Sequence, residues 1–308
     1  MDPDAAIRII LRHTDWVIEA ILDRLIAWPE QLTRLGLRLS GYRKRRLPTR
    51  FGDVVSRSAA GRGRLPLMLL HGFSAEGTHY APLLHRLRPH VSHLHVPDLP
   101  GHGGSAPPRA PVVPHELRDE IVAAFDQLIP EPTVLYGHSL GGLIALDYAL
   151  ARPERVRGLI LCSPVGAPVD EEELAALRRL FQLERYADAL HFVDELFVRP
   201  TVLRRLIAWG VWRKFRDPNL QQLLLMLRPD DMIDPRALAG LRVPTLLMWG
   251  QRDRILPRSS LEFFRRHLPK AALIEEPADQ SHTPYLEDPD GVAARILAFM
   301  REREREAP

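Results

Sequence analysis

Cys162 is the only cysteine in the chain. That excludes an internal disulfide framework and any cysteine-based zinc site, and leaves the redox compartment open. Long apolar runs are missing too: no uncharged stretch approaches the roughly 18 residues of a spanning helix. A basic leader is absent, since the opening MDPDAAIR is acidic and no small-residue cleavage site follows an apolar core. Repeats are not found, and low-complexity sequence is confined to the charged tail REREREAP. The expectation is a cytoplasmic protein, with peripheral contact to the inner face of the membrane left open.

What remains is a composition of 45% apolar and 26% charged residues over 308 positions. That suits one large domain, or one domain carrying a sizeable insertion. Proline is abundant, with 28 copies, many beside apolar runs where they mark strand starts and loop ends. Positive charge is uneven. Residues 1–64 hold 13 Lys/Arg against 7 Asp/Glu, whereas the remainder holds 29 against 32. Much of the excess sits in RKRR at 43–46, with Arg34, Arg38 and Arg50 nearby.

Periodicity divides the chain. Ile7, Ile10, Leu11, Val17, Ile21, Leu25 and Trp28 recur at three- and four-residue steps, so residues 5–28 read as an amphipathic helix that Pro29 limits. A second helical stretch at 30–40 leads into the basic cluster, and FGDVVSRSA (51–59) reads as an edge strand. Beyond it, short apolar runs at 65–70, 93–96, 133–136, 158–162, 245–249 and 272–276 alternate with amphipathic stretches at 79–89, 115–129, 140–151, 258–268 and 289–306. Such alternation predicts an α/β fold with a mostly parallel, doubly wound sheet buried on both faces. About 80 residues of helical character interrupt it between GLILC and TLLMW, where a crossover needs only about a dozen. They read as an inserted helical cap rich in large apolar residues, including Phe181, Phe192, Trp209, Trp212 and Leu223. Some of these are expected to line a greasy pocket and the rest to pack onto the sheet. The predicted organisation is an N-terminal amphipathic and basic extension (1–48), the first part of the core (49–165), the cap (166–240) and the second part of the core (241–308).

YGHSLGG, at 136–142, sits where a buried strand runs directly into a helix. In that context G-x-S-x-G is a nucleophile elbow. The turn strains the central residue, exposes its hydroxyl at the sheet's C-terminal edge, and leaves no room for side chains at Gly137 and Gly141. It also places the Leu140 N–H at a helix N-terminus, facing any negative charge that develops there. A serine nucleophile needs a base and the base an orienting acid. After Ser139 the histidines are His191, His267 and His282. His282 lies in a loop just after the last strand, at the correct edge. Asp253 follows the strand TLLMW directly and is the expected acid; Asp279 is its nearest rival, ahead of Asp170 and Glu171. The second oxyanion donor is expected from LLHGF, as the Phe73 N–H, with Gly72 permitting close approach and His71 fixing the loop. His102 reads as a satisfied loop histidine, Cys162 as core, and Ser163 as an unreactive neighbour of the pocket.

HGF, DLPGHGGS (98–105), GHSLGG, WGQRD and HTPYLEDP (282–289) stand in the order of the α/β-hydrolase superfamily, which the chain resembles over about residues 60–300. HGFSA, DLPGHGG and the cap stretch are similar to the monoacylglycerol-lipase-like branch. The resemblance implies Ser139 as nucleophile, Asp253 as acid, His282 as base, the Phe73 and Leu140 amides as oxyanion hole, and no metal or organic cofactor. One departure is visible: the family often carries Gly-x-Gly before the base, where this chain has Asp279-Gln280-Ser281. The implied reaction is hydrolysis of carboxylic esters with an apolar portion. C–C bond hydrolysis or perhydrolysis on the same triad, and a non-catalytic lipid-binding protein on the same scaffold, are the competing readings. RKRR beside an amphipathic helix makes no groove-reading element, so nucleic acid is not an expected partner. Residues 5–50 are instead the expected contact with an anionic membrane; the alternative is that the apolar stripe docks on the domain itself or on a second subunit, with the arginines solvated.

Overall fold

Short apolar strands bounded by turn residues build the centre of the molecule, seen in a computed structural model that describes residues 24, 28–109, 113–225 and 232–306. A helix at 28–39, α1, precedes β1 (Arg43–Leu47), β2 (Val54–Ala60) and β3 (Leu67–Leu70). Then come α2 (Ala81–Leu87), β4 (His93–Asp98), α3 (Pro114–Leu128), β5 (Thr133–His138), α4 (Leu140–Ala151) and β6 (Val156–Cys162). Five helices follow before the sheet resumes: α5 (Glu171–Phe181), α6 (Tyr186–Leu196), α7 (Arg204–Phe215), α8 (Pro218–Leu225) and α9 (Pro235–Ala239). The chain ends with β7 (Thr245–Met248), α10 (Arg258–His267), β8 (Leu273–Glu275), α11 (Pro284–Glu287) and α12 (Pro289–Arg305).

The eight strands lie in the order β1-β2-β4-β3-β5-β6-β7-β8. β2 pairs antiparallel with β1 and β4, and every pairing from β4 through to β8 is parallel. Strands β3, β5, β6 and β7 each feed both faces. Met68, Leu70, Leu135, Leu159, Leu161 and Leu247 enter a core shared with α3, α4, α10 and the inserted helices. Leu67, Leu69, Val134, Tyr136, Ile160 and Leu246 enter a second core under α2 and α12. Burial on two sides is why these segments read as unbroken apolar runs.

One expectation needs correction. The stretch 51–59 is not at the edge, because β2 sits between β1 and β4. The edge strand is RKRR itself, whose Arg43, Lys44, Arg45 and Arg46 are all exposed. A charged edge strand has no buried face to impose a period of two, so its sequence reads as a basic cluster; such charge also deters edge-to-edge pairing. The helix expected at 5–28 lies, apart from Arg24 and Trp28, outside the described residues.

Candidate active site

Strand β5 ends at His138 and α4 begins at Leu140, so a single residue makes the turn. Ser139 takes φ 53° and ψ −117°, a combination costly for a residue with a side chain. Its neighbours force the matter. A β-carbon on Gly137 would collide with the Gly141 carbonyl, and one on Gly141 with the Leu70 carbonyl at the end of β3. The Ser139 N–H is tied to the Cys162 carbonyl on β6 at 3.0 Å, and the Ser139 carbonyl accepts from Gly142 at 2.9 Å. The turn is thereby tied to β6 and to the first turn of α4. At the first position of α4, the Leu140 N–H has no intrahelical acceptor.

The β3 loop lies against this turn. A β-carbon on Gly72 would stand 3.1 Å from the Ser139 Cβ, so the loop that carries Phe73 packs directly on the turn. Two buried histidines hold the loop. His71 Nδ1–H donates to the Gly72 carbonyl (2.8 Å) while its Nε2 accepts the Leu99 N–H (2.9 Å). His102 Nδ1–H donates to Pro100 (2.9 Å) and its Nε2 accepts the Ser74 N–H (3.1 Å). Asp98, fully buried, accepts from Gly77, Gly104 and Arg57, each at 2.8 Å. Glu76 accepts both the Thr78 hydroxyl and Arg34 of α1. Burial alone would raise the Glu76 pKa; Thr78 and Arg34 outweigh it and hold the carboxyl at about 2. The loop positions of His71 and His102 agree with the roles read from the sequence.

Asp253, in the loop after β7, and His282, after β8, meet through Asp253 Oδ2 and His282 Nδ1 at 2.8 Å, both side chains buried. Asp253 Oδ1 accepts the amides of Ile255 (2.9 Å) and Leu256 (3.1 Å). Burial opposes its charge, but His282 and the Leu256 amide prevail and keep the carboxyl below the ordinary range. A charged Asp253 fixes the imidazole with its proton on Nδ1, leaving the Nε2 lone pair free. The rival acids are occupied elsewhere. Asp279 is exposed beside Arg252 at 3.7 Å, and Asp170 caps α5 through the Glu173 amide while Glu171 lies in that helix's first turn. His191 is exposed on α6, and His267 packs on Phe263 at the end of α10.

The loop that lacks Gly-x-Gly is secured by side chains. Glu287 accepts the Ser281 hydroxyl and also the Val198 N–H (2.8 Å), and the Thr283 hydroxyl donates to the Leu196 carbonyl (3.0 Å). The base loop is thus fastened to the end of α6. Neither Glu287 nor His138, whose ring packs 4.8 Å from that of His282, was identified from sequence. His138 was in plain view within YGHSLGG, but a histidine inside an apolar strand reads as core.

Phe181, Phe192 and Phe215, from three inserted helices, pack on one another, and Phe181 and Phe215 meet the Phe73 ring edge-on at 6.1 and 5.9 Å. Beside them lies a cavity of about 100 Å³ lined by Phe73, Leu99, Ile121, Leu140, Leu143 and Leu223 among others. Both oxyanion candidates are in its wall. Among the described residues its one charged lining side chain, Arg118, is paired with Asp147 at 3.6 Å. Cys162 is core as expected, burial pushing its thiol up to about 12. Ser163 is buried beside it at the end of β6.

Burial lowers the pKa of both His102 and His138 to about 3, with His71 next in order for the first and His282 for the second. Unfolded, each takes up its proton near 6.5. The stability from keeping them neutral is therefore complete above pH 6.5 and lost as pH falls towards 3, at about 1.4 kcal/mol per pH unit per histidine. The midpoint of thermal unfolding is expected to drop by several degrees between pH 7.5 and pH 5. Calorimetry checks this, and an unchanged midpoint would refute it.

The Alpha/beta hydrolase family model matches residues 67–295. The pimeloyl-[acyl-carrier protein] methyl ester esterase of Xanthomonas oryzae pv. oryzae is 35% identical over 264 residues, covering 80% of this chain and 97% of that protein. A membrane phospholipase A, described as a bacterial virulence factor, superposes with a TM-score of 0.78 at 26% identity over 98% of both chains. A carboxylesterase of Bacillus subtilis shares the fold, with a TM-score of 0.72 at 22% identity over 89% of this chain and 96% of its own.

Proposed function

This chain belongs to the alpha/beta hydrolase family and is a carboxylic ester hydrolase, and on that premise we propose that it cleaves esters of apolar acyl chains through Ser139, His282 and Asp253. The His282–Asp253 hydrogen bond at 2.8 Å, on the same sheet edge as the strained serine, is the observation that carries this reading. His282 Nε2 takes the hydroxyl proton as Ser139 Oγ attacks the ester carbonyl. The amides of Phe73 and Leu140 receive the oxyanion, each donor contributing about 3–4 kcal/mol to the transition state. Collapse of the tetrahedral intermediate expels the alcohol with the proton from His282 and leaves an acyl-enzyme. Water, deprotonated by His282, then releases the acid and restores the serine. Asp253 stays ionised and stabilises the imidazolium formed in each half-reaction.

The cavity supports an uncharged, apolar acyl chain, with residues 166–240 as the cap above it. Among the described residues its wall offers no free charge, and an unpaired carboxylate brought into it would lose several kcal/mol of solvation, by rough estimate. Acylglycerols and simple alkyl esters both present such a chain. Leu143→Trp fills the cavity from α4 and is expected to cut kcat/KM at least tenfold for p-nitrophenyl octanoate while leaving the acetate within threefold. Equal losses on both esters would show that the acyl chain lies elsewhere. A vinylogous diketone substrate, turned over faster than any ester, would favour C–C bond hydrolysis instead.

A second element of the proposal concerns α1. Trp28, Leu32, Leu35 and Leu39 recur at four- and three-residue steps and are all at least half exposed. The basic edge strand β1 follows immediately. This combination supports peripheral contact with an anionic bilayer, each surface-proximal Lys or Arg adding about 1 kcal/mol. No helix among the described residues is long and apolar enough to cross a membrane. Replacing Trp28, Leu32, Leu35 and Leu39 together by serine is expected to reduce flotation with phosphatidylglycerol vesicles at least fivefold. Undiminished flotation would exclude this face as the contact.

A further inference from the structure

His138 stands between the candidate nucleophile and the candidate base. It is the residue before Ser139 and it is buried. Its Nε2 lies 2.7 Å from the backbone carbonyl oxygen of His282. A carbonyl can only accept, so the proton is on Nε2 and Nδ1 is unprotonated. Nδ1 is buried without a hydrogen-bond partner, which suits the bare nitrogen of a neutral ring. The ring packs 4.8 Å from the His282 ring and meets Tyr285 edge-on at 5.1 Å.

We propose that His138 is a positioning residue: its Nε2–H holds the His282 carbonyl and so fixes the base in register with the serine one residue away. The inference rests on the assignment of Ser139 and His282 proposed above. The strand of the nucleophile and the loop of the base come from distant parts of the chain, and this bond joins them directly. Holding the carbonyl restricts the backbone torsions of His282. Its side chain then needs only its Nδ1 bond to Asp253 to leave Nε2 aimed at the elbow. Displacement of a catalytic group by about 1 Å can cost on the order of a hundredfold in rate. The other ties on this loop, Glu287 on Ser281 and Val198 and Thr283 on Leu196, run to the inserted helices and not to the strand of the nucleophile.

Two substitutions separate the hydrogen bond from the packing. His138→Phe keeps a buried ring and loses the donor. His138→Gln carries an amide nitrogen at the same number of bonds from its α-carbon as Nε2 of histidine. With p-nitrophenyl butyrate, and with folded protein normalised from thermal melts, His138→Phe is expected to lower kcat 10- to 100-fold with KM within threefold. His138→Gln is expected to recover kcat to within fivefold of wild type. The rate of phosphonylation by a fluorophosphonate should follow kcat. Wild-type kcat in His138→Phe would overturn the proposal, as would a loss in His138→Gln as deep as in His138→Phe. Should His138→Phe fail to fold, nitrogen-15 spectra of the wild-type protein serve, with the His138 signals assigned by difference from His138→Gln. They should show protonated Nε2 and bare Nδ1, and the reverse tautomer would refute the bond. Labelling of Ser139 in wild type tests the underlying assignment separately: with Ser139 labelled and His138→Phe fully active, only the role of His138 falls.

Discussion

Replacing Ser139 by alanine is expected to lower kcat/KM for a p-nitrophenyl ester by about 10⁶-fold, leaving the residual rate that an oxyanion hole and binding alone sustain. The size follows from covalent chemistry: without Oγ no acyl-enzyme forms, and His282 can at most activate water from a geometry built for a different attacking atom. The fold should hardly respond, because alanine suffers the same positive φ of 53° as serine. Ser139→Gly should be more stable than Ser139→Ala by about 1–3 kcal/mol, the cost of such a conformation for a residue with a side chain. Denaturant titration of the two variants measures the strain held in the turn. Equal stability would mean the turn holds none.

Asp253→Asn should be nearly as damaging, with kcat lower by about 10⁴-fold and KM within a few-fold. The argument is one of hydrogen-bond direction. The Ile255 and Leu256 amides both point at Oδ1, which must remain an acceptor, so the asparagine oxygen takes that place. Its NH₂ group is then forced into the position of Oδ2, against His282 Nδ1. A donor there drives the imidazole proton onto Nε2, where it can no longer accept the serine's proton. Full activity in Asp253→Asn would return the acid's role to another carboxylate. Asp279, exposed and paired with Arg252, is poorly placed to take it.

The same directional reasoning marks what could be read in the sequence. Strands β3, β5, β6 and β7 were legible because burial on both faces makes them unbroken apolar runs between prolines, glycines and charged turns. The proposed set Ser139, Asp253 and His282 could be nominated from the sequence because each follows a strand, and a parallel sheet gathers such loops at one edge. β1 was not legible: four consecutive basic residues at an open edge carry no burial period. The choice of Asp253 over Asp279 was readable only as a preference, since the difference lies in a tertiary hydrogen bond and in exposure. The missing Gly-x-Gly is likewise resolved in three dimensions, where Glu287 ties Ser281 to the amide of Val198 some 90 positions away. His138 and Arg34 escaped for the same reason. Their partners, the His282 carbonyl and Glu76, are distant in sequence, and neither residue type at its position announces them.

For the inserted helices the sequence suggested a division between pocket lining and packing without assigning residues to either. Their phenylalanines were visible as surplus apolar residues. Only packing shows that Phe181 and Phe215 close over Phe73, and that the neighbouring cavity runs along the residues offered as oxyanion donors. On the proposed reading, substrate selection and oxyanion stabilisation share a wall, so substitutions on Phe73 should disturb both together.

Covalent capture puts the whole arrangement to the most direct test. Wild-type protein treated with an alkyl fluorophosphonate, digested and sequenced by mass spectrometry, should carry one phosphonyl group on the peptide containing Ser139. Labelling should be lost in Ser139→Ala and slowed at least a thousandfold in His282→Ala. An adduct on Ser163 or any other residue, or undiminished ester turnover by protein that takes up no label, would contradict the account.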